Sequence, residues 1–138
     1  MSRVLAIDYG TKRVGIAVTD PLKIIATALD TVHSKDIYDF LKNYTKEEEI
    51  ETIVVGMPKR LNNQDTHVTS HVVGFVRKLK NLYPKINIEV VDERFTSKIA
   101  YNSIIKSGIN RKKRAEKGLI DQVSATIILQ SYLAQKTL

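Results

Sequence analysis

Three carboxylates stand where a carboxylate needs a reason. Asp8 cuts the apolar run Val4 to Ile7, and an ionised acid there is costly unless it is hydrogen-bonded, paired or holding a cation. Glu93 closes an alternating stretch carrying Ile86, Ile88 and Val90, with Asp92 and Arg94 as neighbours. Asp121 lies between Ile120 and Val123, and Ser124 and Ala125 follow at i+3 and i+4. Each acid has a plain reading: Asp8 can cap the turn through Gly10, and Glu93 can pair with Arg94. The small neighbours of Asp121 let its helix face approach a sheet closely, which suits an inward or rim position. Together the three are hard oxygen donors in a chain without cysteine, a set that suits Mg²⁺ or Mn²⁺ better than Zn²⁺. Such a cluster can hold two metals about 4 Å apart, which activate a water and stabilise the leaving oxygen in phosphodiester cleavage.

Other candidates are weaker. His67 and His71 share a helix face at i and i+4 but have no third ligand nearby, so a solvated polar face is the better reading. Gly10 to Gly15 has the spacing of a phosphate loop, but Ile16-Ala17 follows where Lys and Ser/Thr are required. Tyr9 could stack on a base or pack inside the fold.

Charge narrows the partner. Lys and Arg number 22 against 15 Asp and Glu, a net charge of +7, which favours a polyanion and nucleic acid first. The excess is local. From Arg94 to Lys117 there are eight basic residues and one acid, Glu116. Arg111, Lys112, Lys113 and Arg114 are therefore candidate phosphate contacts, with Lys12, Arg13 and Arg94 beside the acids. Branched DNA and structured RNA both fit this pattern. No apolar run approaches the ~20 residues of a membrane span, and the chain reads without a signal peptide, so a cytoplasmic location is the default expectation.

The elements must bring distant acids together. Val4 to Asp8 and Val14 to Thr19 read as a hairpin about the turn at Tyr9-Gly10-Thr11-Lys12, and Ile24 to Val32 as a third strand. Ile37, Phe40, Leu41 and Tyr44 then fall at helical spacing, with Ser34 or Asp36 as cap. Thr52 to Val55 suits a strand buried on both faces. A helix carrying Val68, Val72, Phe75, Leu79 and Leu82 leads to a fifth strand at Ile86 to Val90. A helix over 97–107 and a last one over 117–134 complete the chain. The order β-β-β-α-β-α-β-α-α predicts one α/β domain over residues 1–138: a mixed five-stranded sheet, an antiparallel meander then α/β crossovers, flanked by helices.

Ile7-Asp8-Tyr9-Gly10-Thr11-Lys12-Arg13-Val14-Gly15-Ile16-Ala17 resembles the opening motif of the YqgF family, also called RuvX or the pre-16S ribosomal RNA nucleases. Val54-Val55-Gly56-Met57-Pro58 resembles its second block, and Val91-Asp92-Glu93-Arg94-Phe95-Thr96-Ser97 its third. Ile120-Asp121-Gln122-Val123-Ser124-Ala125, with Ile127, Leu129-Gln130-Ser131-Tyr132-Leu133, resembles the last. The four blocks span the chain in order. The resemblance implies an RNase H-like fold related to Holliday-junction resolvases, and maturation of the 5′ end of pre-16S ribosomal RNA. It carries the family's acidic positions onto Asp8, Glu93 and Asp121. Related resolvases place an acid at the end of the fourth strand, where this chain has Gly56-Met57, so Asp92 stays open as the alternative to Glu93. Two other functions stay open as well: resolution of four-way DNA junctions, made as paired cuts by dimers, and a non-catalytic nucleic-acid-binding or transcription-factor module. The number of subunits is not legible.

Overall fold

A computed structural model describes residues 2–10, 12–57, 67–92 and 117–137. Strands β1 (Arg3–Tyr9) and β2 (Arg13–Thr19) form the expected antiparallel hairpin, with Asp8 directly opposite Gly15. Its turn requires Gly10. The Gly10 N–H donates to the Arg13 carbonyl at 2.9 Å, and a Cβ at this position would lie 2.6 Å from that same oxygen.

Strand β3 (Ala26–His33) pairs antiparallel with β2, and a register irregularity falls between Ile16 and Ala17. Ile24 and Ile25, expected inside this strand, belong to the turn before it. Their N–H groups donate to Asp20 Oδ1, each at 2.8 Å. These backbone bonds, that from Ile25 foremost, hold the Asp20 carboxyl below its usual range. Lys23 completes the turn in the left-handed region at φ 61°.

Helix α1 (Ile37–Glu47) buries Ile37 and Leu41. Asp36 occupies its N-cap position, although its side chain makes no capping bond. β4 (Ile50–Met57) runs parallel to β1, with Ile7 beside Val55. Helix α2 (His67–Leu82) leads into β5 (Asn87–Asp92), which runs parallel to β4. Helix α3 (Lys117–Thr137) is the last element. The helix expected over 97–107 and the loop over 59–66 lie outside the described residues.

The five strands lie in the order β3-β2-β1-β4-β5, the mixed sheet that the strand and helix patterns predict. Because side chains alternate across a strand, β1 serves two layers. Leu5 and Ile7 pack with Ile37 and Leu41 of α1 and with Val72, Phe75 and Leu79 of α2. Val4 and Ala6 pack on the opposite face with Ala125, Ile128, Leu129 and Tyr132 of α3. Small residues keep α3 close: Ala6 and Ala17 in the sheet meet Ala125, and Ser124 is buried beside it. Among the described residues no helix is long and apolar enough to cross a membrane.

Candidate active site

The two-residue period of β1 decides where Asp8 points. Val4 and Ala6 face α3, so Asp8 stands on the α3 face at the C-terminal end of the central strand, half-buried. Its neighbours across the sheet are small. Gly15 is its register partner on β2, and one step beyond the Ile7–Val55 pair lies Gly56 on β4. The positions beside Asp8 on both adjoining strands are thus glycines.

Tyr9 takes the other face. Its ring stacks on Phe75 with centroids 4.3 Å apart and planes 15° from parallel. Of the two roles open to it, packing is the one observed.

Asp121 is the fifth residue of α3. Ala125, Ile128 and Tyr132 follow it at i+4, i+7 and i+11, and all three pack on the sheet. The helix that carries Asp121 therefore lies on the face that carries Asp8, while the Asp121 side chain itself is outside the described residues. The C-terminal half of α3 is pinned further down the sheet. The Tyr132 hydroxyl donates to Glu89 Oε2 at 2.7 Å, and Lys136 Nζ sits 3.8 Å from the same oxygen. Burial, and then the bond to the Glu89 carboxylate, push the Tyr132 hydroxyl up to about 12.

Glu93 follows β5 immediately and lies outside the described residues, as do Arg94 and the run Arg111 to Arg114. Strand β5 nevertheless ends at the same edge as β1, since Met57 of β4 pairs with Asp92. Among the described residues no three His, Cys, Asp or Glu side chains form a metal-holding group. His71 is exposed on α2.

Lys12 and Arg13 are both exposed at the hairpin turn, at the Asp8 end of the sheet. Two hollows lie at the opposite end. One, of about 410 Å³, is lined by Tyr83 and by residues 84–88 ahead of and within β5. The other, of about 360 Å³, is lined by Arg3, Thr19, Asp20 and Glu48. Neither is lined by Asp8.

The whole chain has relatives of matching length. Residues 2–135 match the family model of RuvX, described as Holliday junction resolvase. The chain belongs to the RuvX family. A Bacteroides fragilis relative is 49% identical over 138 residues and covers 100% of both chains. One from Phocaeicola vulgatus is 50% identical over 136 residues, covering 99% of this chain and 98% of its own. Both carry the provisional name pre-16S rRNA nuclease. Among solved structures, RuvC of T. thermophilus in complex with a Holliday junction substrate superposes with a TM-score of 0.62 at 16% identity, covering 99% of this chain and 98% of that one. That likeness establishes the RNase H-like fold of this RuvX-family chain.

Residue-type reasoning missed one member of this edge. His33 ends β3 as the register partner of Arg13. A lone histidine after an alternating strand carries no motif, and only the strand register brings it to the same row as Arg13.

Proposed function

We propose that this chain is a divalent-metal-dependent nuclease, a single domain over residues 1–138, that trims structured RNA at the 5′ end of pre-16S ribosomal RNA. That it is a hydrolase of phosphodiester bonds follows from its family. The observation that carries the site is the position of Asp8: a half-buried carboxylate on the central strand, facing the helix that bears Asp121, between Gly15 and Gly56. Asp8 and Asp121 are the metal-holding pair and Glu93 completes the set. The family motif Val91-Asp92-Glu93-Arg94 supports Glu93 over Asp92.

The donor set fits Mg²⁺ or Mn²⁺: carboxylate oxygens only, in a chain with no thiolate to favour zinc. Bound there, the metal would supply an activated water and charge stabilisation at the leaving oxygen. The protein's own part is to hold three like charges at one edge, keep the row around Asp8 bare, and grip the phosphates with Lys12, Arg13, Arg94 and the run Arg111 to Arg114.

Cleavage of a precursor rRNA fragment in Mg²⁺ or Mn²⁺ tests the reading. Asp8→Asn should lower kcat by at least about 10²-fold, with RNA binding retained. Undiminished cleavage by a pure Asp8→Asn preparation would defeat the mechanism. The family description supports a second substrate, the four-way DNA junction. The same preparations offered that junction would show symmetric paired cuts if resolution were the activity. Binding without metal-dependent cleavage of either substrate would mark a non-catalytic module.

A further inference from the structure

We infer that Arg13 and His33 form a two-sided clamp for one phosphate of the bound strand, reached from Asp8 across the bare backbone of Gly15. This rests on the reading of Asp8 as catalytic. The path is set by register. Asp8 pairs with Gly15 on β2, and Gly15 pairs with Thr31 on β3. The next row on the same face, two residues or about 7 Å further toward the sheet edge, is Arg13 beside His33.

The facing of that row follows from its neighbours. Val14 and Ile16 pack in the α1–α2 layer together with Val32, so Arg13, Gly15 and His33 occupy the α3 side, as Asp8 does. Arg13 and His33 are both exposed there. Directly opposite residues of an antiparallel pair bring their Cβ atoms to about 5 Å, close enough for both side chains to reach one phosphate.

His33 is prepared to donate. The Lys35 N–H donates to His33 Nδ1 at 3.1 Å, so the neutral ring carries its proton on Nε2. The Ser34 N–H donates to the Lys12 carbonyl at 3.1 Å, tying the β3–α1 turn to the hairpin that carries Arg13. Asp30, a nearby acid on β3, pairs with Ile16 on the other face and accepts the Thr31 N–H at 2.8 Å. Asp36 lies beyond in the following turn, its N–H donating to the His33 carbonyl at 2.8 Å.

The ligand chemistry is a phosphodiester backbone. RNA and DNA both supply it, so the test uses fluorescein-labelled single strands of each, of one sequence, in EDTA and then in Mn²⁺. In EDTA, His33→Ala should raise Kd about threefold to tenfold and Arg13→Gln somewhat more. The double variant should lose less than the product of the two, because both groups hold one phosphate. Arg13→Gln should also reduce the slope of log K against log salt by about 0.7 on a single strand. Thermal melting of each variant checks that the hairpin is folded.

Equal losses on RNA and DNA fit the clamp, and a loss confined to RNA would show that the contact reads the ribose and overturn it. Strictly multiplicative losses would assign the two side chains to separate phosphates, also against the clamp. If His33→Ala binds and cleaves as the parent does while Asp8→Asn is inactive, the clamp fails and the nuclease site stands. If Asp8→Asn cleaves normally, the site fails, and the EDTA binding arm still decides the clamp.

Discussion

At the scale of single residues, the proposed site would depend on glycines as well as on acids. Gly10 is the sharpest case, because the atom that a Cβ would strike is a backbone carbonyl, Arg13 O at 2.6 Å, and cannot rotate away. Gly10→Ala must therefore open the turn between Asp8 and Arg13. Urea unfolding should show a loss of about 1–3 kcal/mol, accompanied by a fall in kcat/KM, since the turn sets the spacing of acid and cation. Unchanged stability would mean that the turn relaxes without strain. Asp8 stands out in the sequence as a candidate because a carboxylate directly after the apolar run Val4 to Ile7 breaks the burial pattern. Its neighbour Tyr9 does not. Both roles available to that ring use the same residue type, and only the packing of α2 brings Phe75 against it.

At the scale of elements, the hydrophobic periods predicted five strands and the helices α1, α2 and α3 with boundaries shifted by only a few residues. The departures have local causes. Ile24 and Ile25 read as strand from their side chains, but Asp20 captures their backbone N–H groups and holds them in the turn. That turn should weaken in acid. The Asp20 carboxyl is held below its usual value, so its contribution is full above the unfolded carboxylate range and is lost as pH falls through the lowered one. An NMR pH titration should show the Ile24 and Ile25 amides shifting together with Asp20.

The irregularity between Ile16 and Ala17 was equally illegible, yet it sets which residues of β3 face α3. A register continued unbroken from Thr19–Ala26 would pair Arg13 with Val32, and the irregularity puts His33 there instead. Helix α3 offers the opposite test. Tyr132 fastens it to β5 through Glu89, and Tyr132→Phe should cost about 1 kcal/mol in urea unfolding. Its hydroxyl is raised to about 12, so the folded state holds the proton more tightly than the unfolded state, whose phenol titrates near 10. The contribution is full below pH about 10 and is lost as pH rises toward 12. Tyr132→Phe should remove this part of the alkaline loss, and an unaltered alkaline profile would show that the Glu89 contact does not hold the helix.

At the scale of the whole molecule, a net charge of +7 can act in two ways: as a diffuse field that draws in any polyanion, or through a track of fixed contacts beginning at Asp8. The distribution favours the track, since the hairpin cations Lys12 and Arg13 sit at the acid end of the sheet and the run Arg111 to Arg114 precedes the helix of Asp121. Two variants of equal net charge separate the cases. One replaces Arg111, Lys112, Lys113 and Arg114 with Gln. The other replaces four lysines with Gln: the exposed Lys42 and Lys46 of α1, and Lys80 and Lys85, which line the hollow at the far end of β5. Each lowers the net charge by four. If fixed contacts dominate, the first variant should reduce the slope of log K against log salt by about 3, at roughly 0.7 to 0.9 per phosphate released, and the second should leave it nearly unchanged. A diffuse field would move both alike, mainly through the association rate. Equal changes in slope for the two variants would remove the run from the substrate track, leaving the row of Asp8, Gly15 and Arg13 as the part of the surface that positions the strand.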